Sequence, residues 1–465
     1  MTNINIGKKE LIHFIGIGGI GMSGLAQIMK TMNFKVQGSD LGKNKNTENC
    51  RKIGIKIFTG HAKKNISQAT IIVRSTAITK NNTELREAKK KKLPVYDRAE
   101  MLANIVALKK NIVITGSHGK TTTTSLVAKI LSESKLDPTI INGGVINSIN
   151  SNAKLGKGEW AVLEADESDG SFLKLPINYS VITNLDKEHL DFYKNYQNLK
   201  NAFIKFIKKT PPIGKAIICL DNPDLKNILK AINKKNYLTY GFDKRSNYQI
   251  LNPKYEINKS KFNLKVSGHG SKKIIIKNIV INLIGKHNIL NATAATAVCL
   301  NLGISIKIVK KALKKFSGVQ RRLTKVFIKN KNEFYDDYAH HPTEIFSVLE
   351  GLRKVHKGRK LISVFQPHRY SRVKSLKKEF ASCFSISNLV LLCPIYAAGE
   401  KKDKGYKTNL FARLIKKYSK VQVIIVRDEI DLKKYFQKNL ISDEIVIGMG
   451  AGSVSKWMHN LKNNI

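Results

Sequence analysis

Short apolar runs typical of buried strands alternate with longer helix-like segments along almost the whole chain. Strands and helices that alternate in this way form parallel sheets covered by helices, because a parallel connection needs a crossover and the crossover is usually a helix. The pattern therefore predicts an α/β fold with largely parallel sheets. The length of 465 residues is about three times the usual domain size, which favours three domains.

Two changes of pattern give the predicted domain boundaries. The helix-like segment 98–108 gives way to the strand-like run 112–114, and the helix-like segment 307–316 is followed by the stop signals Ser317 and Gly318. We therefore expect domains over residues 1–108, 109–317 and 318–465.

The charge of the chain is extreme, at +48 with 82 Lys and Arg against 34 Asp and Glu. Clustered basic side chains indicate nucleic-acid binding, because they release counterions from a polyanion. Here the basic residues are spread through every segment together with many Asn and Ile, which is typical of a compositional bias. We expect an attraction for anionic substrates and no nucleic-acid partner, with a basic nucleic-acid-binding ATPase as the alternative.

Targeting and redox features predict a cytoplasmic protein. The first ten residues are polar and lead into the apolar run 11–15, without the long apolar stretch of a secretory signal. No run approaches the ~18 apolar residues of a membrane span, so no membrane insertion is expected. The five cysteines are scattered, without a pair at metal or redox spacing.

The run from Ile112 to Thr123 combines a buried strand, a glycine turn and a threonine-rich helix start. Glycines in such a turn let backbone N–H groups converge on phosphate, the lysine reaches the β- and γ-phosphates, and the following hydroxyl suits Mg²⁺. The loop has two residues between its glycines, where the general P-loop has four. The predicted ATP-binding residues are Gly116, Ser117, His118, Gly119, Lys120, Thr121 and Thr122.

A second glycine motif, Gly16-Ile-Gly18-Gly-Ile-Gly21, follows the strand-like run 11–15, and Asp40 follows the next run, 34–38. This spacing alone predicts binding of NAD or FAD. The same geometry suits any nucleotide diphosphate. The residues by themselves leave both alternatives open.

Acidic and imidazole side chains follow two further apolar runs. Glu164 follows the run 160–163 and opens Glu-Ala-Asp-Glu-Ser-Asp, and His189 lies in the segment 183–191. Alone, each could be an ordinary surface charge. Acidic groups at a strand end that faces a phosphate loop are suited to hold Mg²⁺ against ATP. We therefore predict metal ligands at Thr121, Glu164 and His189.

These motifs together resemble the Mur ligase family, whose nucleotide loop has the short form Thr-Gly-x-x-Gly-Lys-Thr-Thr found at residues 115–122. The resemblance continues through segments 285–292, 320–322, 335–344, 365–372, 396–400 and 448–453. Their order is that of the members that add L-alanine to UDP-N-acetylmuramate. Two positions agree with this branch: Ser168 stands where the tripeptide-adding recycling ligases, the alternative within the family, have Tyr, and Phe203 stands where several sister ligases have a carbamylated lysine.

The resemblance implies a Rossmann-like N-terminal UDP-binding domain, a central ATPase-type domain and a Rossmann-like C-terminal domain that binds the amino acid and closes over ATP. It implies that ATP and Mg²⁺, with two ions, turn the substrate carboxylate into an acyl phosphate that L-alanine attacks, in the synthesis of peptidoglycan precursors. The implied partners are UDP-N-acetylmuramate, L-alanine and ATP. Whether the protein is a monomer or a dimer stays open.

The resemblance also implies residue roles. The UDP-substrate residues are Gly16, Gly18, Gly19, Gly21, Met22, Ser23, Asp40, His61, Ser75 and Ala77. Further ATP-binding residues are His287, Asn291 and Arg322, although Asn291 alone would be an ordinary N-cap of the apolar segment 292–300. The catalytic residues are Lys120, His189, Asp337, His340 and His341. The amino-acid-binding residues are Tyr338, His368, Arg369 and Arg372.

Overall fold

The structure is a computed structural model that describes residues 9–267, 273–403, 405–463 and 465. Its contacts divide the chain into two compact units. The first contains the described residues within 1–252, 262–280 and 290–317, and the second contains those within 253–261, 281–289 and 318–465. The α/β class predicted from the sequence is confirmed, because three mainly parallel sheets carry helices between their strands. The two predicted boundaries between the three domains stay predictions.

The first sheet is parallel and has the strand order β3-β2-β1-β4-β5. Its strands are β1 (Leu11–Ile15), β2 (Lys35–Asp40), β3 (Lys56–Thr59), β4 (Ile71–Arg74) and β5 (Val95–Asp97). Its helices are α1 (Ile20–Thr31), α2 (Lys45–Lys52), α3 (Thr83–Lys90) and α4 (Arg98–Val106). The order reverses at β1, so ligands are expected at the carboxyl ends of the strands near β1 and β4.

The second sheet has the order β15-β14-β13-β12-β11-β10-β6-β9-β7-β8. Its strands are β6 (Lys110–Thr115), β7 (Thr139–Ile146), β8 (Ser151–Lys154), β9 (Trp160–Glu164), β10 (Tyr179–Ile182), β11 (Ala216–Cys219), β12 (Tyr237–Gly241), β13 (Tyr248–Glu256), β14 (Lys259–Val266) and β15 (Ile274–Ile281). The helices of this region are α5 (Lys120–Glu133), α6 (Leu190–Tyr193), α7 (Tyr196–Lys208), α8 (Pro223–Ile228), α9 (Lys286–Asn301) and α10 (Ile306–Lys314). Strand β6 lies between β10 and β9, so the turns after these three strands share one edge.

The third sheet has the order β16-β17-β21-β18-β19-β20, parallel apart from the β16–β17 hairpin. Its strands are β16 (Thr324–Lys329), β17 (Asn332–Asp337), β18 (Leu361–Phe365), β19 (Leu389–Leu392), β20 (Gln422–Ile425) and β21 (Ile445–Met449). Its helices are α11 (Pro342–Val355), α12 (Tyr370–Ser375), α13 (Lys377–Ser382), α14 (Thr408–Ser419), α15 (Glu429–Asn439) and α16 (Val454–Leu461). Two apolar cores bury its strands.

Short 3₁₀ turns connect some of these elements. They lie at Lys63–Ile66, Asn147–Ile149, Ser171–Lys174, Leu229–Ala231 and Lys234–Asn236. Within the parts of the chain that the structure describes, every helix is too short or too polar to cross a lipid bilayer.

Helix α1, which follows the first glycine turn, packs against strand β8 of the second sheet. The amide nitrogen of Asn152 donates to the carbonyl of Ile20 at 2.8 Å. A Cβ on Gly24 would lie 2.7 Å from this amide nitrogen and 3.2 Å from Cβ of Ala153. Gly24 therefore permits the close approach of the helix to the strand.

Candidate active site

The glycine turn after β1 is held by the end of β2. The N–H groups of Gly16 and Ile17 donate to the carbonyl of Ser39 at 2.9 and 3.0 Å, and the N–H of Gly18 donates to Oδ2 of Asp40 at 2.7 Å. Two predicted UDP-substrate residues, Gly18 and Asp40, are therefore in direct contact.

Other side chains surround this turn. Ser75, in the turn after β4, would lie 3.2 Å from a Cβ on Gly16, and its Oγ accepts from the N–H of Ala77 at 3.3 Å. The guanidinium of Arg98 lies 3.3 Å from the Cβ position of Gly21. No motif indicated Arg98, whose signal was only a basic residue at the start of α4. The Arg98 side chain places a positive charge beside the glycine turn.

Two predicted UDP-substrate residues point into the protein. Met22 is 2% exposed, Ser23 is 0% exposed, and the Ser23 hydroxyl donates to the carbonyl of Ile20 at 3.0 Å. Gly19 is the N-cap residue of α1. A ligand at this turn can meet the unpaired first N–H groups of the helix, but not these two side chains.

His61 follows β3 and contacts the buried side chains below the turn. Its Nδ1 lies 3.0 Å from Oγ of Ser39 and 3.3 Å from Oε2 of Glu84. Burial raises the pKa of Glu84. Hydrogen bonds from His13, Ser39 and Asn65 lower this pKa by more than burial raises it, to about 2. Sequence reasoning missed Glu84 because it lies in an ordinary helix start.

The phosphate loop after β6 depends on two glycines in left-handed conformations. Gly116 has φ +131° and Gly119 has φ +82°, and α5 begins at Lys120. A Cβ on Gly116 would lie 2.2 Å from Oγ1 of Thr183. Only glycine fits this position without displacing the turn after β10.

The turn after β10 clamps the phosphate loop. The N–H of His118 donates to Oδ1 of Asn184 at 2.8 Å, and the N–H of Ser117 donates to the Asn184 carbonyl at 3.2 Å. The His118 ring contacts Asp186 at 3.0 Å. Ser117 and His118 therefore fix the shape of the loop.

Lys120 folds back over its own loop. Its Nζ donates to the carbonyl of Gly116 at 2.6 Å and to both carboxylate oxygens of Glu167, at 3.1 and 2.9 Å. Burial lowers the pKa of Lys120, but Glu167, Asp166 and Glu164 raise it above its usual value. Lys120 is therefore a cation in the loop.

Two groups of potential metal ligands lie beside this lysine. The Thr121 hydroxyl donates to Oε1 of Glu164 at 3.1 Å. Ligand atoms of Asp166, Glu167 and His189 lie within 4.8 Å of one another. The structure thus brings together Thr121 and Glu164, and groups His189 with Asp166 and Glu167, which the prediction had left out although the acidic motif contains them.

The charge around Glu167 is unbalanced. Burial raises its pKa to about 7, and the neighbouring carboxylates of Asp166 and Glu188 add to this effect against the lowering by Lys120. The carboxylates and the imidazole are donors that a divalent cation accepts, and added positive charge would relieve the repulsion among them. The residues present therefore fit Mg²⁺.

Asn291 lies within a helix and not at its start, because α9 begins at Lys286. The N-cap alternative for Asn291 is therefore wrong. Its Oδ1 accepts from the Thr123 hydroxyl at 3.2 Å and would lie 2.6 Å from a Cβ on Gly119. Asn291 therefore supports the phosphate loop. The side chain of Thr122, another predicted ATP-binding residue, is buried and only 5% exposed.

In the second unit, Asp337 ends β17 and organises the backbone around it. Its Oδ2 accepts from the N–H of Leu323 at 2.6 Å and its Oδ1 from the N–H of Ala339 at 2.7 Å. Burial raises the pKa of Asp337 to about 6, against the nearby positive charge of Arg322. These contacts make Asp337 an anchor of the loop that carries Arg322.

Three of the four predicted amino-acid-binding residues, Tyr338, His368 and Arg372, form one cluster with His340 at the carboxyl ends of β17 and β18. The ring of His340 lies 5.2 Å from Tyr338 and 5.6 Å from His368. Nη1 of Arg372 lies 3.1 Å from Nδ1 of His368. Burial and the adjacent His340 and Arg372 lower the pKa of His368 to about 3. A neutral His368 therefore accepts from Arg372.

Other predicted residues of this unit have local roles. The N–H of Arg369 donates to the carbonyl of Tyr396 at 2.9 Å. His341 is the N-cap of α11, and its N–H donates to Glu344 at 3.3 Å. Burial, partly opposed by Glu350, lowers the pKa of His287 to about 4.

Three family models match the chain in succession. Residues 11–110 match the Mur ligase family catalytic domain, residues 114–299 the Mur ligase middle domain, and residues 321–452 the Mur ligase glutamate ligase domain. The fold is similar to a crystal structure of UDP-N-acetylmuramate-alanine ligase from Thermotoga maritima, with a TM-score of 0.82 and 26% identity over 97% of this chain and 98% of that one. A murein peptide ligase from Psychrobacter arcticus shares the fold, with a TM-score of 0.71 and 21% identity over 98% of both chains.

Curated relatives are similar over almost their whole length. The UDP-N-acetylmuramate–L-alanine ligase of Pelagibacter ubique is 56% identical over 98% of this chain and 99% of its own. The enzyme of the same name from Agrobacterium fabrum is 42% identical over 98% of this chain and 97% of its own. With three successive family models and full-length relatives at this identity, the chain belongs to the Mur ligase family.

Proposed function

We propose that the protein joins L-alanine to UDP-N-acetylmuramate with cleavage of ATP to ADP and phosphate, in the synthesis of peptidoglycan precursors. The 56% identity to a relative of that name, over 98% of this chain and 99% of the relative, carries the proposal. The two glycine turns support it, because they provide separate places for a nucleotide sugar and for ATP on two sheets.

The phosphate loop is suited to phosphoryl transfer to a carboxylate. A carboxylate does not accept an amine at neutral pH, so its oxygen first attacks the γ-phosphate of ATP and forms an acyl phosphate. The cation of Lys120, with a pKa raised by the carboxylates around it, offsets the repulsion between these anions. The left-handed glycines Gly116 and Gly119 shape the loop.

Mg²⁺ would bind at two places on this edge. Thr121 and Glu164 would hold one ion, and Asp166, Glu167 and His189 would hold the second. When bound, the ions supply positive charge to the phosphate oxygens of ATP. Without them, the carboxylates around Glu167 repel one another and the triphosphate.

The amine would bind in the second unit. Arg372, held by the neutral His368, has the guanidinium geometry that pairs with the carboxylate of a free amino acid. The ring of His340 packs against His368 and Tyr338. Arg321 and Arg322 lie over the Tyr338 ring, at 4.8 and 5.3 Å. We propose this cluster as the L-alanine site.

The proposed partners are UDP-N-acetylmuramate, L-alanine and ATP. The spread of basic residues gives no reason to add a nucleic acid. A cytoplasmic location is proposed because the five cysteines are free and buried, as is usual for a reducing compartment.

The test is phosphate release from ATP and Mg²⁺ with UDP-N-acetylmuramate, with and without L-alanine. Release should depend on both substrates. In a second mixture, L-alanine, glycine and the tripeptide L-alanyl-γ-D-glutamyl-diaminopimelate compete, and products are resolved by mass. Glycine should react slowly and not be excluded, because one methyl is worth ~1 to 3 kcal/mol. A dominant tripeptide product would instead identify a recycling ligase.

A further inference from the structure

A buried carboxylate lies beneath the proposed nucleotide-sugar site. The Glu84 side chain is 0% exposed, and its Oε1 accepts from Asn65 Nδ2 at 2.6 Å and from the N–H of Ala62 at 3.2 Å. Its Oε2 lies 2.5 Å from the Ser39 hydroxyl and 3.3 Å from Nε2 of His13. These donors come from β1, β2 and the turn after β3, so Glu84 connects three neighbouring parts of the sheet edge.

The direction of the hydrogen bonds on the His13 side is fixed by a backbone carbonyl. The side-chain nitrogen of Gln37 lies 2.8 Å from the carbonyl of Asn65, which can only accept. The same nitrogen lies 3.2 Å from Nδ1 of His13, so it donates to Nδ1. His13 therefore carries its proton on Nε2 and donates it to Glu84.

The same reasoning fixes the proton of His61. Ser39 has one hydroxyl proton, and at 2.5 Å it donates this proton to the Glu84 carboxylate. Its Oγ must therefore accept from Nδ1–H of His61, 3.0 Å away. In the neutral ring, Nε2 of His61 then holds the lone pair, on the side of the ring away from Ser39. The His61 side chain is 10% exposed.

Ser39 also connects this network to the glycine turn. Its carbonyl accepts from the N–H groups of Gly16 and Ile17 at 2.9 and 3.0 Å. One residue thus fixes the backbone of the turn with its carbonyl and His61 with its hydroxyl. A shift of the Ser39 side chain would leave His61 only its longer contact with Oε2 of Glu84, at 3.3 Å, while these backbone bonds stay in place.

We propose that Glu84 is a positioning residue for the nucleotide sugar, acting through Ser39 to hold His61 in the tautomer that offers Nε2 as a hydrogen-bond acceptor. The chemical class that Nε2 would recognise is a hydroxyl or ring N–H donor of the nucleoside. This inference rests on the proposed function, because that function places a UDP-sugar at this edge of the first sheet.

The test compares Glu84→Gln with Ser39→Ala, which removes only the connecting hydroxyl. Glu84→Gln keeps the shape of the side chain but sets an amide N–H₂ against groups that are themselves donors. In both variants the KM and Kd for UDP-N-acetylmuramate should rise about tenfold, with little change in kcat or in the KM for ATP and L-alanine. Glu87→Gln, which removes a charge from the same helix, is the control and should match wild type.

A spectroscopic readout separates positioning from a general loss of structure. The ¹⁵N NMR signals of the His61 ring are assigned by their absence from the spectrum of His61→Asn. In wild type these signals should show a protonated Nδ1 and an unprotonated Nε2. Both variants should show mixed tautomers while still binding a non-hydrolysable ATP analogue. A protonated Nε2 in the complex with UDP would overturn the acceptor role.

The outcomes distinguish this inference from the proposed function. If wild type releases phosphate with its substrates but both variants keep the wild-type KM and the wild-type His61 spectrum, Glu84 is not a positioning residue. If wild type releases no phosphate with UDP-N-acetylmuramate and L-alanine, the proposed function fails. The tautomer of His61 and its dependence on Ser39 would then still be decided by the spectra.

Discussion

The two glycine turns of the first unit lie near buried glutamates in opposite charge environments. Below the turn after β1, hydrogen bonds overcome the effect of burial and lower the pKa of Glu84 to about 2. Beside the turn after β6, burial raises the pKa of Glu167 to about 7 even though Lys120 donates to it. Both turns precede a helix, so their backbones offer similar anion sites.

The difference shows how similar turns come to favour different ligands. The charge of Glu84 is stabilised by fixed donors within the protein, so that edge needs no added cation to complete it. At the second edge, beside the turn after β6, the carboxylates of Asp166 and Glu188 act on Glu167 together with the cation of Lys120. A nucleotide that arrives with divalent cations balances the excess negative charge. The glycines create a place for phosphate, and the carboxylates near them favour one nucleotide over another.

Removing the cation of the second turn should have the largest effect. Lys120→Ala deletes the positive charge that contacts Gly116 and Glu167, so kcat should fall by roughly 10² to 10³. Binding of UDP-N-acetylmuramate, measured by calorimetry, should stay close to wild type because the first turn is untouched. Lys129→Ala on the same helix, which removes an ion pair with Glu133, is the control. Activity of Lys120→Ala within threefold of wild type would contradict this role.

The buried charge of the first edge should be visible in the pH dependence of stability. The pKa of Glu84 is about 2 in the folded protein and about 4.3 in an unfolded chain. Its stabilising effect is therefore complete above about pH 4.3 and is lost as the pH falls toward 2. Urea unfolding of Glu84→Gln should show a loss of about 2 kcal/mol at pH 7 that shrinks as the pH falls below 4. A loss of equal size at pH 7 and pH 3 would mean that Glu84 is not ionised.

The first turn should be sensitive to any side chain at its second glycine. A Cβ on Gly18 would lie 2.7 Å from both Oδ2 of Asp40 and Nδ2 of Asn44, so Gly18→Val must displace them. The Kd for UDP-N-acetylmuramate should rise about tenfold, whereas the KM for ATP should not change. Gly42→Val, which meets nothing within 4 Å, is the control. Saturable binding of NAD at micromolar concentration would favour the dinucleotide alternative.

The elements of both edges were largely predictable, because strand periodicity and glycine turns are local signals. The predicted run 11–15 is confirmed as β1, and the predicted run 34–38 is observed as Lys35–Asp40. The networks around the glutamates were not predictable. Glu84 contacts Ser39, 45 positions away in the sequence, and His13, 71 positions away. Contacts between residues so far apart in the sequence depend on the tertiary fold.

The position of Asn291 is a case in which a local sequence signal predicted the wrong helix start. An Asn before an apolar segment is a common helix start, yet α9 begins at Lys286 and places Asn291 against the phosphate loop. Likewise, Asp166 and Glu167 were visible within the acidic motif, but only the turn after β9 shows that Glu167 faces Lys120 and His189.

The smallest effect is expected from one hydroxyl that steadies the second edge. Tyr193 is 7% exposed, and its OH donates to the carbonyl of Glu167 at 2.5 Å. Its own N–H donates to the carbonyl of His189 at 3.0 Å, so it connects two proposed metal ligands. Tyr193→Phe should lower kcat about fivefold and raise the Mg²⁺ concentration needed for half-maximal rate, since one hydrogen bond is worth ~1 kcal/mol. Tyr196→Phe, which loses a bond to Asp224, is the matched control. An unchanged Mg²⁺ dependence in Tyr193→Phe would show that the Glu167 backbone is held without this hydroxyl.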